Sequence, residues 1–154
     1  MTAKLVPELD VSDLAASLAF YAGVLGFGVA YERPEEGFAY LVRDGVELML
    51  EAAAGPGRRF RTAPLEKPYG RGVNLQIAVP NVGDLYERVR QAGHVVVLPL
   101  EDRWYRKGEA ELGNRQFVVA DPDGYLLRFF EDLGERPRAG QRKSAKRFSA
   151  RDPL

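Results

Sequence analysis

The stretch that decides the fold is Gly113–Asp132, with the sequence GNRQFVVADPDGYLLRFFED. Two segments rich in β-forming residues, Gln116–Ala120 and Tyr125–Phe130, flank the tetrapeptide Asp121–Gly124. Its proline fixes φ at the second turn position, and its glycine admits positive φ. The pattern predicts a β-hairpin whose second strand carries one cationic residue, Arg128, among apolar ones.

Outside this hairpin, the chain repeats one order of elements twice. A helix with apolar residues at helical spacing follows Ser12 or Asp10, either of which can cap it, and Asn81 can cap a second helix. The predicted strands are Lys4–Leu9, Phe27–Arg33, Phe38–Arg43 and Val46–Glu51, then Val73–Val79, Val95–Glu101 and the two of the hairpin. This order predicts an α+β fold made of two β-α-β-β-β modules, residues 4–51 and 73–132.

The connecting segments predict a single domain over residues 1–133. Residues 52–72 are rich in Gly and Pro and are expected to form a long loop, a kind of segment that often serves as a lid or rim. Residues 102–108 show no strand alternation and are also predicted as a loop, with Trp104 and Tyr105 exposed on it. Residues 134–154 contain few large apolar residues and are expected to form either a mobile tail or an extension that clasps a partner.

Composition narrows the classes of function. The 154 residues suit one hydrophobic core, and the absence of cysteine excludes disulfides and thiolate chemistry. No apolar stretch approaches the length of a membrane span, so we expect a cytoplasmic protein without membrane association. The zero net charge divides into −5 for residues 1–133 and +5 for residues 134–154. Because the basic tail lacks interleaved aromatic residues apart from Phe148, nucleic acid is not an expected partner.

Three features together carry a resemblance to a known family: the Asp-Pro-Asp-Gly turn, the preceding run Arg115-Gln116-Phe117 and the doubled module order. With these features the chain resembles the vicinal oxygen chelate superfamily, which includes glyoxalases, extradiol dioxygenases and bleomycin resistance proteins. The resemblance implies two cupped, half-barrel mixed sheets. In enzymes of this superfamily, His and Glu side chains from the first, fourth, fifth and eighth strands bind a divalent metal. The matching positions here are Val6, Glu47 or Met49, Asn74 and Arg128.

Of these residues only Glu47 is a strong ligand, and a guanidinium repels a cation. The single histidine, His94, follows Gly93 in a predicted turn and has no second histidine nearby. We therefore expect no metal, no cofactor and no catalytic residue. The alternative that stays open is a metal-dependent enzyme of the glyoxalase or dioxygenase type, acting on a small oxygenated substrate.

The bleomycin resistance branch is the closest resemblance. It implies a homodimer that binds an antibiotic in clefts between subunits without chemistry. Open sheet edges also favour a homodimer. The expected ligand is a planar aromatic molecule, and an acidic body suits a cationic glycopeptide of the bleomycin type, although Arg128 keeps a neutral or anionic ligand open. The expected ligand-binding residues are Phe38, Glu47, Met49, Asn74, Trp104, Tyr105 and Arg128.

Two further alternatives concern these residues. Trp104 is expected either to stack on the ligand or to pack against its own subunit, as a lid residue does. Glu47 and Arg128 are expected either to line the polar floor of the site or to form a salt bridge across an unused cavity.

Overall fold

Each half of the chain forms one four-stranded mixed sheet, as seen in a computed structural model that describes residues 3–140. The first half contains β1 (Glu8–Val11), α1 (Leu14–Leu18, continued by a π-helical segment, Ala19–Val24), β2 (Gly28–Arg33), β3 (Phe38–Arg43) and β4 (Val46–Ala52). The second half contains β5 (Asn74–Ala78), α2 (Val82–Gln91), β6 (Val96–Lys107), β7 (Ala110–Ala120) and β8 (Leu126–Pro137). The two β-α-β-β-β modules are thereby confirmed.

The two sheets have the same topology. The first has the strand order β1-β4-β3-β2 and the second β5-β8-β7-β6. In each sheet the first strand pairs in parallel with the last strand of its module, and the other pairs are antiparallel. Neither sheet closes on itself, so β1 and β2 are edge strands of the first sheet, and β5 and β6 of the second.

One hydrophobic core joins the modules. Alternate residues of both sheets contribute to it, for example Leu48 and Leu50 in β4 and Leu127 and Phe129 in β8. Both helical segments add large buried side chains, namely Phe20, Tyr21, Leu25, Val82, Leu85 and Val89. Because successive strand residues point to opposite faces, the remaining alternate residues of each sheet face away from this core. We call these the outward faces.

Both helices begin with a side-chain cap. The Asn81 side chain accepts a hydrogen bond from the Asp84 amide at 3.1 Å, which confirms the predicted cap of α2. In α1 the cap is Asp13, which accepts from the Ala16 amide at 3.0 Å, so the prediction of Ser12 or Asp10 is wrong. Ser12 has another role, because its amide and hydroxyl both donate to Asp123 in the second module.

The last three strands are longer than predicted. β6 continues to Lys107, so the loop predicted at residues 102–108 is wrong. β7 begins at Ala110 and β8 continues to Pro137, past the predicted domain end at residue 133. Residues 102–107, 110–115 and 131–137 form a three-stranded extension beyond β5, which we call the arm. The arm has polar residues on both faces and therefore shows no apolar alternation in the sequence.

The first strand also differs, because it begins at Glu8 rather than at Lys4. Pro7 precedes it, and a proline lacks the amide that a strand donates, although the Pro7 carbonyl accepts from the Met49 amide at 2.8 Å. Within the described residues, no helix is long and apolar enough to cross a membrane. Most of the basic tail, from residue 141, lies outside the described residues.

Candidate functional site

The motif Asp121–Gly124 joins the two modules in addition to turning the chain. Asp121 accepts hydrogen bonds from the amides of Asp123 and Tyr125, both at 2.9 Å, and from the Tyr21 hydroxyl at 2.9 Å. Asp123 is buried and accepts from Ser12 of the first module. Burial raises the pKa of Asp121, while the hydroxyl of Tyr21 and the two amides act in the opposite direction. The carboxylates of this motif are therefore structural.

A cavity of about 380 Å³ lies on the outward face of the second sheet. Alternate residues of four neighbouring strands line it, because outward-facing residues recur every second position. The lining residues are Gln76, Tyr105, Leu112, Asn114, Arg128, Phe130 and Asp132. This combination of aromatic and apolar walls with a few polar groups is typical of small-molecule sites.

Arg128 stands in the wall of this cavity, in the register Gln76–Arg128–Val118 across three strands. Its guanidinium donates to the Gln76 side-chain oxygen, whereas its Nε is buried without a hydrogen-bond partner. Nearby, the Gln116 side-chain nitrogen donates to the Tyr105 hydroxyl at 2.6 Å and to Glu101 at 3.1 Å. The Gln116 side-chain oxygen is also buried without a partner. Arg128 in the cavity wall and Gln116 beside the cavity thus each carry a buried polar atom that the described residues do not satisfy.

The outward face of the first sheet carries Glu47 and Met49, on β4. Glu47 accepts hydrogen bonds from the Tyr40 hydroxyl and, at 2.8 Å, from the Ala3 amide. These bonds hold the pKa of Glu47 below its ordinary value, and the bond to Glu47 raises the pKa of Tyr40 to about 12. Tyr40 stacks on Tyr31 with ring centroids 5.0 Å apart. This face therefore presents tyrosine rings beside a carboxylate.

Glu47 and Arg128 belong to different sheets and have different partners. Both outward faces point away from the shared core. The salt bridge between Glu47 and Arg128, which was one of the two expectations for these residues, is therefore not formed in the described chain. Asn74 lies on the same face of β5 as Gln76, two residues away, and is exposed. The structure thus brings Tyr105 and Arg128 into one cavity and leaves Glu47 and Met49 on the other sheet.

Phe38 is 3% exposed, although it lies on the outward face of the first sheet. The Arg33 guanidinium covers its ring at 3.8 Å, and the Tyr31 ring lies 5.9 Å away. In this arrangement the Phe38 ring is covered by the side chains of Arg33 and Tyr31.

Trp104 lies on the opposite face of the arm from Tyr105, because adjacent residues of β6 alternate. It pairs with Gly113, and a Cβ atom on Gly113 would come within 2.7 Å of the indole ring. The Arg136 guanidinium lies over the indole ring at 3.9 Å and pairs with Glu111 at 2.8 Å. Trp104 therefore packs within its own subunit, and Trp104 and Tyr105 do not form one platform.

Sequence reasoning missed several residues of the cavity, notably Gln76, Leu112 and Asn114. Gln76 follows Asn74 by one strand period and therefore lies on the same face of the strand. The choice of Asn74 as a site residue thus also pointed to Gln76. Leu112 and Asn114 could not be found in this way, because the beginning of β7 was not predicted.

The long loop between β4 and β5 attaches to the first sheet through two arginines. Arg59 pairs with Glu51 at 2.6 Å, and Arg61 pairs with Asp10 at 2.6 Å. Burial and the neighbouring Glu51 raise the pKa of Glu8, on the same face. A second cavity, of about 460 Å³, lies between this loop and Tyr125. The loop forms the rim of this second cavity, and a rim is one of the two roles expected of it.

The residues present do not fit the metal site that the fold implies. Val6 and Arg128 cannot ligate a cation, Asn74 is a weak donor, and Glu47 is bonded to Tyr40. Over residues 3–140, no three His, Cys, Asp or Glu side chains come together in a way that could hold a metal ion. His94 instead packs edge-on against Phe20, with ring centroids 4.6 Å apart.

Comparison with known proteins agrees with this fold. Residues 6–129 match the family model described as the glyoxalase/bleomycin resistance protein/dioxygenase superfamily. The chain belongs to this superfamily, which includes both enzymes and binding proteins without catalytic activity.

The chain is similar to proteins named bleomycin resistance protein. One from Geobacillus stearothermophilus and one from Staphylococcus aureus are each 30% identical over 137 residues, covering 83% of this chain and 96% of the relative. The crystal structure of TioX from Micromonospora sp. ML1 has a TM-score of 0.67 at 23% identity, covering 84% of this chain and 98% of that one. The latter similarity concerns the fold alone.

Proposed function

We propose that this protein binds a planar aromatic small molecule, with antibiotics of the bleomycin class as the first candidates, and holds it without chemical change. The observation that carries the proposal is the cavity on the outward face of the second sheet, where Tyr105, Leu112 and Phe130 surround a polar floor. Aromatic side chains of this kind provide stacking surface for a planar ligand. The relatives named bleomycin resistance protein favour this class of ligand.

The acidic body of the chain supports the choice of a cationic antibiotic. Residues 1–133 carry a net charge of −5, which raises the local concentration of cations around the domain. The tyrosines and Glu47 on the first sheet offer a second surface suited to a cationic aromatic group.

We further propose that two copies of the chain complete the site. The outward faces of one chain point away from each other, so one chain leaves each face open to solvent. Two large apolar residues on the first face, Tyr31 and Val42, are exposed. If the first sheet of one copy covers the second sheet of its partner, Glu47 and Met49 come opposite Tyr105 and Arg128. The two-fold arrangement would give two equivalent clefts.

Under this proposal the expected ligand-binding residues fall into three groups. Tyr105 and Arg128 remain, joined by Gln76 and Phe130, and Asn74 belongs to the margin of the same face. Glu47 and Met49 belong to the opposite wall, contributed by a second copy. Phe38 and Trp104 act through packing, because neighbouring side chains cover both rings. A cytoplasmic location stays a prediction.

Calorimetric titration with metal-free bleomycin tests the proposal. We expect saturable binding at one equivalent per chain, and mass spectrometry of the released drug should show an unchanged mass. A converted product, or one tightly held Mn, Fe, Ni or Zn per chain in metal analysis, would instead favour the metal-dependent enzyme. Sedimentation should give twice the chain mass of 17.1 kDa, and a monomer at micromolar concentration would contradict the two-copy site.

A further inference from the structure

Arg128 differs from the other well-anchored arginines in its partners. Arg59, Arg61 and Arg115 each pair with a carboxylate at 2.6–2.7 Å. Among residues 3–140, by contrast, no carboxylate lies within salt-bridge distance of Arg128, and its side chain donates one hydrogen bond, to the neutral amide of Gln76. Its Nε is buried and unpartnered. A guanidinium has five N–H donors and no acceptor, so most of its bonding capacity is unused.

The position of Arg128 makes these unused N–H donors available to a ligand in the cavity. Arg128 lines the cavity together with the apolar side chains Tyr105, Leu112 and Phe130. A charge beside apolar walls interacts more strongly with an opposite charge than it would in open water. The neighbouring Gln76 bond holds the guanidinium in one orientation, so Gln76 is a positioning residue for it.

The acidic groups around the cavity leave room for an anion at Arg128. Asp132 lines the same cavity but stands four residues further along β8, so the Cα atoms of the two residues are about 13 Å apart at 3.3 Å per residue. Its carboxylate accepts from the Gly134 amide at 2.7 Å. Glu101 is engaged by the Gln116 side chain at 3.1 Å. The cavity therefore has a cationic end and an acidic end.

We infer that Arg128 is a specificity-determining residue that recognises an acidic group, of the carboxylate class, on a planar aromatic ligand. The rings of that ligand lie against Tyr105, Leu112 and Phe130, and its carboxylate pairs with the planar guanidinium in the bidentate geometry that arginine favours. The inference rests on the proposed function, since it requires an aromatic ligand in this cavity. The inference distinguishes the preferred ligand, which carries a carboxylate, from a purely cationic drug.

Three naphthalene probes of nearly equal size test the inference by isothermal titration calorimetry at pH 7.5. They are 2-naphthoate, its neutral primary amide 2-naphthamide and the cationic 2-(aminomethyl)naphthalene. We expect the carboxylate to bind about tenfold more tightly than the amide, and the amine most weakly, because a well-oriented charged hydrogen bond contributes a difference of this order. The preference should shrink at high salt, since the cavity is open to solvent.

The variant Arg128→Gln should remove the preference by weakening 2-naphthoate binding about tenfold, while the dissociation constant of 2-naphthamide stays within about a factor of two. Arg128→Lys should keep only part of it, because a lysine ammonium lacks the planar fork. Arg90→Gln, an equal charge change on exposed α2, is the matched control and should leave all three affinities unchanged.

Equal affinities for the three probes in the wild-type protein would overturn the inference and leave the proposed function standing. Unchanged 2-naphthoate binding in folded Arg128→Gln would do the same. If none of the probes binds, the inference fails, and the titration with metal-free bleomycin decides the proposed function separately. The wild-type charge series needs no variant, so it decides the question even if Arg128→Gln does not fold.

Discussion

Replacing Tyr21 with Phe tests whether the Asp-Pro-Asp-Gly motif joins the modules. Tyr21 is fully buried, and its hydroxyl donates to Asp121 at 2.9 Å. The substitution removes one oxygen atom and keeps the ring that packs against Phe20 and Phe27 at 5.1 and 6.0 Å. Because a hydrogen bond to a charged group contributes about 1.5–3 kcal/mol, we expect Tyr21→Phe to lower the free energy of unfolding by that amount.

Urea unfolding followed by circular dichroism measures this change. Tyr31→Phe removes the same atom from an exposed ring on the outward face of the first sheet, and should change the free energy of unfolding by less than about 0.5 kcal/mol. If Tyr21→Phe also changed it by less than about 0.5 kcal/mol, the hydrogen bond would not be joining the modules. The amides of Asp123 and Tyr125 would then suffice for Asp121.

The pH dependence gives a second readout of the same contact. Burial raises the pKa of Asp121, so in the native state its ionisation reduces stability as pH rises from the ordinary aspartate pKa through the raised one. The Tyr21 hydroxyl bonds to the ionised form and limits that loss. Removing the hydroxyl should raise the pKa further, so the difference between wild type and Tyr21→Phe should grow with rising pH. A difference that is constant across the acidic range would contradict this assignment.

Three further substitutions examine the arm and the cavity. Gly113→Ala should destabilise the protein by about 1–3 kcal/mol and shift the fluorescence emission of Trp104, because the added Cβ comes within 2.7 Å of the indole. Unchanged emission would contradict that packing. Trp104→Phe should leave the affinity for 2-naphthoate within about a factor of two in calorimetry, since Trp104 lies on the other face; a large loss would place the ligand on that face. Arg128→Gln should strengthen binding of metal-free bleomycin about three- to fivefold by removing a like charge, and weaker binding would show that the drug uses the guanidinium.

Much of the fold could be predicted from local patterns. The hairpin around Asp121–Gly124, the strand Phe38–Arg43 and the Asn81 cap depend on turn chemistry, alternation and capping, all of which are visible within a few residues. The arm was not predictable in this way, because both of its faces are solvated. Its strands are specified by cross-strand contacts such as the Asp102–Arg115 ion pair. That pair also lowers the pKa of Asp102.

The candidate site was less predictable than the fold. The resemblance selected Arg128, and Tyr105 was selected for its ring. Because residues 102–108 were predicted as a loop and not as part of β6, strand alternation could not separate Tyr105 from Trp104. Irregularities in the register between β6 and β7, between Val96 and Leu98 and again before Glu101, decide which residues of β6 face outward. The contact of Ser12 with Asp123 was hidden for another reason: it joins residues 111 positions apart.

Chemical-shift mapping of the full chain by nuclear magnetic resonance, during titration with 2-naphthoate, locates the bound aromatic molecule on the fold. We expect the largest saturable changes at Gln76, Tyr105 and Arg128, on the outward face of the second sheet. Changes centred on Phe60, Arg61 and Tyr69, in the cavity beneath the long loop, would contradict this expectation. The absence of any saturable change would contradict it as well.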